Sequence, residues 1–268
     1  MNSTAPIAGR VRLVKAFVSG ALVGVLGGLV GLGGAEFRLP LLLQVFGFEA
    51  LQAVILNKAT SLIVVASALV SRSGAVPWSQ IAANWTIVVN LLAGSLIGAW
   101  FAAGWATRVS GLTLRRVIAI LLVGIAAILL GGHHTGTHEP LASGALLVVY
   151  GVIAGLAIGC VAALLGVAGG ELLIPTLVIL FGVDIKLAGS LSLAISLPTM
   201  LVGFARYSRD RSFVVLRENA LFVVVMALGS IIGVAIGGVS LEMVSVEVLL
   251  KGLAVILLIS AYKAWGHR

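Results

Sequence analysis

Eight stretches of mostly apolar residues are each long enough to cross a bilayer: 13–33, 50–70, 82–105, 113–131, 143–166, 187–206, 214–238 and 246–265. A helix rising 1.5 Å per residue needs about 20 such residues to pass the hydrocarbon core. Inside hydrocarbon each backbone N–H and C=O must be satisfied within the protein, so runs of this length read as spanning helices. Two shorter apolar pieces, about 37–47 and 172–182, each follow a glycine cluster and a glutamate. Short hydrophobic segments broken by Gly or Pro at matching places in two halves point to discontinuous helices around a central site.

Composition agrees. Only 10% of the 268 residues are charged, against roughly 25% in a soluble domain, and the mean hydropathy is +1.21. The 34 glycines suit membrane helices, where Gly allows backbones to approach closely. The formal charge of +8 does not mark a nucleic-acid binder, because the cations sit in short connections rather than on a basic face. Arg10, Arg12 and Lys15 precede an apolar run that continues past signal-peptide length without a cleavage pattern, so an uncleaved first span is expected. Cys160 stands alone in an apolar run and reads as a buried small hydrophobe. Trp78, Trp85, Trp105 and Tyr150 lie near segment ends, where aromatic belts belong.

The two halves repeat each other. Gly31-Leu32-Gly33-Gly34-Ala35-Glu36-Phe37-Arg38-Leu39-Pro40 aligns with Gly166-Val167-Ala168-Gly169-Gly170-Glu171-Leu172-Leu173-Ile174-Pro175. The offset of 135 residues, from Glu36 to Glu171, also pairs Phe46-Gly47 with Phe181-Gly182 and Ser61-Leu62 with Ser196-Leu197. It further pairs Gly94-Ser95-Leu96-Ile97-Gly98 with Gly229-Ser230-Ile231-Ile232-Gly233, without a gap. The expected fold is therefore an all-α polytopic membrane protein of two inverted repeats, with about eight long helices and two short discontinuous ones. The repeats are 1–134 and 143–268, joined by a polar loop at 132–142.

Charge sets the orientation. If each short piece completes a crossing, each half has an odd number of segments and the second half is inverted. The inside then collects Arg10, Arg12, Lys15, Arg108, Arg115, Arg116, Arg206, Arg209, Arg211, Arg217, Lys263 and Arg268, leaving Arg72 and Lys186 outside, 12 against 2. Re-entrant short pieces would give 10 against 4. Lys and Arg favour cytoplasmic loops, so the inverted arrangement is expected, with both termini cytoplasmic.

The two glycine turns carry the candidate site. Gly31, Gly33 and Gly34 in one copy, and Gly166, Gly169 and Gly170 in the other, would break the helix and let backbone approach a ligand. The helices opening near Glu36 and Glu171 would present free N–H groups and a positive dipole end, which bind anions. Tight packing through small residues is the plainer use of such glycines. Glu36 and Glu171 are candidate proton-coupling residues, as intramembrane acids often are; helix capping is the structural alternative. Pro40 and Pro175 are expected to break helices. Lys58, about 12 Å into its segment, either lines the site, pairs with Glu36 or snorkels to the interface. Arg38, nearer a helix start, snorkels more easily. Asn57 with Ser61, and Ser192 with Ser196, share helix faces by the i, i+4 rule and complete the candidate substrate-binding set.

His133, His134, His138 and Glu139 form the sole metal-like cluster, in the polar loop, and more simply read as a solvated connection. No nucleophile–base arrangement specifies an enzyme, and no cofactor is expected.

At the doubled Gly-Xaa-Gly-Gly-Xaa-Glu-Xaa-Xaa-Xaa-Pro motif the chain resembles the sulfite exporter TauE/SafE family of permeases. Gly31, Gly34, Glu36 and Pro40, with Gly166, Gly169, Glu171 and Pro175, carry the likeness. Ala168 stands where the first copy has Gly33, and Ala35 where the second has Gly170. The resemblance implies secondary transport of a sulfur-containing anion, such as sulfite or an organosulfonate, across a bacterial inner membrane. Proton coupling through Glu36 or Glu171 would go with it. A divalent-cation transporter and a passive anion channel stay open as alternatives. The partners expected are a small anionic substrate and the lipid bilayer, not nucleic acid, with homodimerisation open.

Overall fold

The structure, a computed structural model, describes residues 5–30, 34–72, 78–130, 143–239 and 246–266. These form α1 (Ala5–Val30), α2 (Ala35–Gln44), α3 (Ala50–Arg72), α4 (Trp78–Ala83), α5 (Trp85–Ala106) and α6 (Gly111–Leu130). The second half contributes α7 (Gly144–Leu165), α8 (Gly170–Phe181), α9 (Ile185–Tyr207), a 3-10 turn (Arg211–Phe213), α10 (Val214–Glu218), α11 (Ala220–Val239) and α12 (Val246–Gly266). Among the described residues, seven helices are long and apolar enough to cross a membrane: α1, α3, α5, α6, α7, α9 and α11. The eighth expected span corresponds to α12 (Val246–Gly266), 21 residues long. Large apolar side chains such as Phe101, Ile153 and Leu221 point outward, as a lipid-facing surface requires.

Every helix of the first half has its counterpart 135 residues on, from α1 with α7 to α6 with α12. One detail was not anticipated. The segments expected at 82–105 and 214–238 each begin with a short helix that ends at an asparagine, Asn84 or Asn219. At each break the amide donates to the carbonyl four residues back, Gln80 or Val215, at 2.9 Å. At Asn84 the backbone N–H turns to the Ile81 carbonyl instead, so the side chain takes over the Gln80 carbonyl; at Asn219 backbone and side chain share the Val215 carbonyl.

Packing directions establish the inversion. Gly20 and Gly24 of α1 lie on Met226 and Ser230 of α11, so these helices run parallel. The repeat-related pair α5 and α7 is also parallel, with Gly94 on Val152 and Gly98 on Leu156. Helix α9 runs alongside α5, joined by Ser95 with Thr199 and by Gly104 with the Arg206 side chain. Helix α3 is antiparallel to α9: Lys58 reaches Gly203, while Val65 clusters with Leu193 and Leu197 further back along α9. A parallel crossing would set Lys58 near its repeat partner Leu193, ten residues or roughly 15 Å away from Gly203.

Within the first half, α2 turns back along α1. Gly34 sits beside Val23, and Phe48, just past α2, lies against Arg12 near the start of α1. The α1–α2 hairpin therefore returns to the end where it began, α3 starts there, and the halves are inverted. The same geometry collects the cations. Arg12 stacks on Phe48 and Phe222, Arg116 on Trp265, and Arg206 and Arg209 on Trp100, all at one end of the bundle. Arg72 ends α3 and Lys186 opens α9 at the other.

Candidate functional site

Helices α2 and α8 begin inside the protein, on glycines that only an unsubstituted backbone suits. Gly34 and Gly169 adopt left-handed φ of 72° and 80°, a region costing other L-residues roughly 1–2 kcal/mol. Neither N-terminus has a side-chain cap, so each presents bare N–H groups and the positive end of its dipole. Each first turn carries a buried acid, Glu36 in α2 and Glu171 in α8.

Glu36 is 0% exposed and Glu171 4% exposed. None of their four oxygens receives a hydrogen bond from any other group. The expected Lys58–Glu36 pair is accordingly not hydrogen-bonded.

Asn57 of α3 ties the two turns together. Its Nδ2 donates at 3.0 Å both to the Ala35 carbonyl, at the start of α2, and to the Leu165 carbonyl, at the end of α7. The turn after α7 passes so close to α3 that a Cβ on Gly166 would meet the Val54 carbonyl and the Lys58 amide. Ser196 of α9 holds the same turn, its Oγ donating to the Ala168 carbonyl at 2.6 Å. Ser192 bonds instead to Gly189 of its own helix at 2.9 Å and makes no tie to the turns.

Two cations are sealed in the core. Arg38 is fully buried; its Nη1 donates to Ser61 Oγ at 3.0 Å and to Asn57 Oδ1 at 3.4 Å, and its Nη2 to Ser230 Oγ at 3.1 Å. All three partners are neutral, and Nε has none. Lys58 is likewise fully buried, its ammonium donating to the Ala162 carbonyl at 3.2 Å. Neither cation snorkels: both side chains are fully buried, Arg38 between α3 and α11 and Lys58 between α7 and α9.

Pro40 and Pro175 do not break α2 and α8; both helices run through them. A proline removes the N–H that would serve the carbonyl four residues earlier, and here those carbonyls belong to Glu36 and Glu171. The prolines therefore loosen the first turn at the acids, while the breaks fall at the glycines.

Sequence reasoning discounted Arg38 and did not single out Ser230. Signals for both existed: Arg38 lies two residues past the conspicuous glutamate, and Ser230 sits inside the repeated Gly-Ser-Xaa-Ile-Gly motif. Its repeat partner Ser95 is also buried and meets Thr199 at 2.7 Å. Gly31 and Gly33 lie outside the described residues, as do His133, His134, His138 and Glu139. Among the described residues no group of three or more His, Cys, Asp or Glu could hold a metal ion.

The family model described as Sulfite exporter TauE/SafE matches residues 10–264. No curated protein matches the chain. No solved structure matches it either.

Proposed function

The chain belongs to the sulfite exporter TauE/SafE family, and from that premise we propose that it carries sulfite or an organosulfonate across a bacterial inner membrane. In this reading it is a secondary transporter rather than an enzyme. The substrate sits where α2 and α8 begin, and the inverted halves rock about it to open each side in turn. The observation that carries the reading is Arg38: a buried guanidinium held by Asn57, Ser61 and Ser230, with Nε free. A cation fixed by neutral groups keeps its charge available for an anion, and two bare helix N-termini add to the attraction. Asn57 and Ser196 position the turns, Ser61 holds Arg38, and Gly34, Gly166, Gly169 and Gly170 let the backbone come close.

Divalent-cation transport is disfavoured by the same surroundings, since both acids lie at positive helix ends and the buried Arg38 stands two residues from Glu36. Burial of Glu36, Arg38 and Lys58 suits an occluded carrier better than an open channel. The end of the bundle gathering the arginines is the cytoplasmic one by the distribution of Lys and Arg, which puts both termini in the cytoplasm. Proton coupling runs through Glu36 and Glu171.

Uptake of labelled sulfite into proteoliposomes tests the reading. Wild-type protein should accumulate sulfite when a pH gradient is imposed, and Glu36→Gln should lose that drive. Uptake no greater than into protein-free liposomes, for sulfite and methanesulfonate alike, would sink it.

A further inference from the structure

Where α5 and α9 run side by side to the end that gathers the arginines, two cations converge on one ring. The guanidinium carbon of Arg206 lies 5.8 Å from the centre of the Trp100 ring, and that of Arg209 lies 4.9 Å from it. The other arginines stacked at this end stand singly, Arg12 on Phe48 and Phe222 and Arg116 on Trp265. Two like charges brought onto one indole repel each other. Among the described residues no carboxylate pairs with either guanidinium. Asp210, the next residue along the chain, turns its Oδ1 to the Ser212 amide at 2.8 Å and caps the 3-10 turn.

Helix α5 makes room for the pair. Gly104, one turn past Trp100, lies under Arg206, where a Cβ would stand 3.0 Å from Nε and 3.1 Å from Nη2. The rim around the pair is apolar and turned outward, with Phe101 of α5 71% and Leu201 of α9 52% exposed. The negative end of a helix accounts for one cation, since Arg206 sits in the last turn of α9. It does not account for Arg209, which lies beyond that helix and yet comes closer to the ring.

We propose that Arg206, Arg209 and Trp100 form a binding site for the headgroup of an anionic phospholipid, with its acyl chains lying along Phe101 and Leu201. A phosphodiester supplies the missing counter-charge, and its oxygens match the planar forks of two guanidiniums. Tryptophan belongs at the headgroup level, and basic pockets between membrane helices suit anionic headgroups. The apolar rim favours a lipid over a free anion, because hydrocarbon already lies against Phe101 and Leu201 while a dissolved phosphate would lose its water there. A zwitterionic lipid brings its own cation to a place that already holds two.

Binding of headgroup-labelled phosphatidylglycerol to the full chain in detergent micelles tests the site. Wild type should bind it about tenfold more tightly than phosphatidylcholine. Arg206→Gln with Arg209→Gln should weaken that binding by about tenfold to thirtyfold, the contribution of two basic side chains. Arg10→Gln with Arg217→Gln removes the same charge from exposed positions at the same end, and should leave binding within about twofold because separated surface charges are screened. Gly104→Leu keeps every charge but pushes Arg206 off Trp100, and should weaken binding too. Equal losses in the two double variants would reduce the effect to general attraction and overturn the site. A wild type that binds both lipids alike, or a Gly104→Leu variant that binds like wild type, would overturn it as well. Millimolar inorganic phosphate should leave the labelled lipid in place, and full displacement would make this a site for a free anion instead. Because the readout is lipid binding, its result stands apart from what the carrier transports.

Discussion

Replacing Arg38 by lysine keeps the charge but removes the planar fork that reaches Asn57, Ser61 and Ser230 together. Hydrogen bonds to a charged group contribute about 1.5–3 kcal/mol. Arg38→Lys should therefore raise the KM for transport by about tenfold to a hundredfold, seen in the concentration dependence of uptake. Lys58 poses the opposite question, since its buried ammonium has one carbonyl partner at 3.2 Å. Exchanging buried ionic groups for apolar ones is often neutral or stabilising, by about 1–4 kcal/mol. Lys58→Met should thus unfold no earlier than wild type on heating in detergent, and yet carry less substrate. A lower unfolding temperature with full uptake would instead make Lys58 a structural residue. The role of Lys58 could be narrowed from sequence only to a choice of three, because a lysine's reach permits several ends. The fold selects the carbonyl of Ala162, 104 residues away.

At the scale of elements, the inverted halves grip each other through glycine. Gly20 and Gly24 on α1 meet Gly229 and Gly233 of α11 in one interface, and their repeat partners Gly155, Gly159, Gly94 and Gly98 form the other. At each of these positions a Cβ would run into the neighbouring backbone, which cannot yield as a side chain can. Gly24→Leu and Gly159→Leu should each destabilise the fold by about 1–3 kcal/mol or more, measured as a lower unfolding temperature in detergent. Gly124→Leu, with nothing within 4 Å of its would-be Cβ, is the control and should unfold like wild type. The helices themselves were legible from apolar run length and the glycine turns. The breaks at Asn84 and Asn219 were not, because an asparagine in an apolar run leaves the hydropathy pattern almost intact while its amide bonds the carbonyl four residues back.

For the whole molecule, the crossing of α3 and α9 closes the site on both sides, with Ser61 and Ser196 almost fully buried beside it. A carrier that alternates must open that crossing to one side at a time. With Cys160→Ser removing the native thiol, Ser61→Cys should react with a membrane-impermeant maleimide from either face. Saturating sulfite should shift labelling toward one face, as read by mass shift in right-side-out and inverted vesicles. Equal labelling from both faces, unaltered by sulfite, would indicate a continuous pore.

By itself the sequence determined the membrane class, the duplication, the glycine turns and the side on which the arginines gather. These follow from run length, a constant offset and loop charge, all of which are properties along the chain. Tertiary structure alone decided that Asn57 ties the two glycine turns together, that Arg38 meets Ser230 at a separation of 192 residues, and that Pro40 and Pro175 lie within helices. An inverted repeat explains why. Its partners meet antiparallel across an axis, so residues that touch share no fixed spacing, and which side chain reaches which becomes definite only once α3 and α9 have crossed.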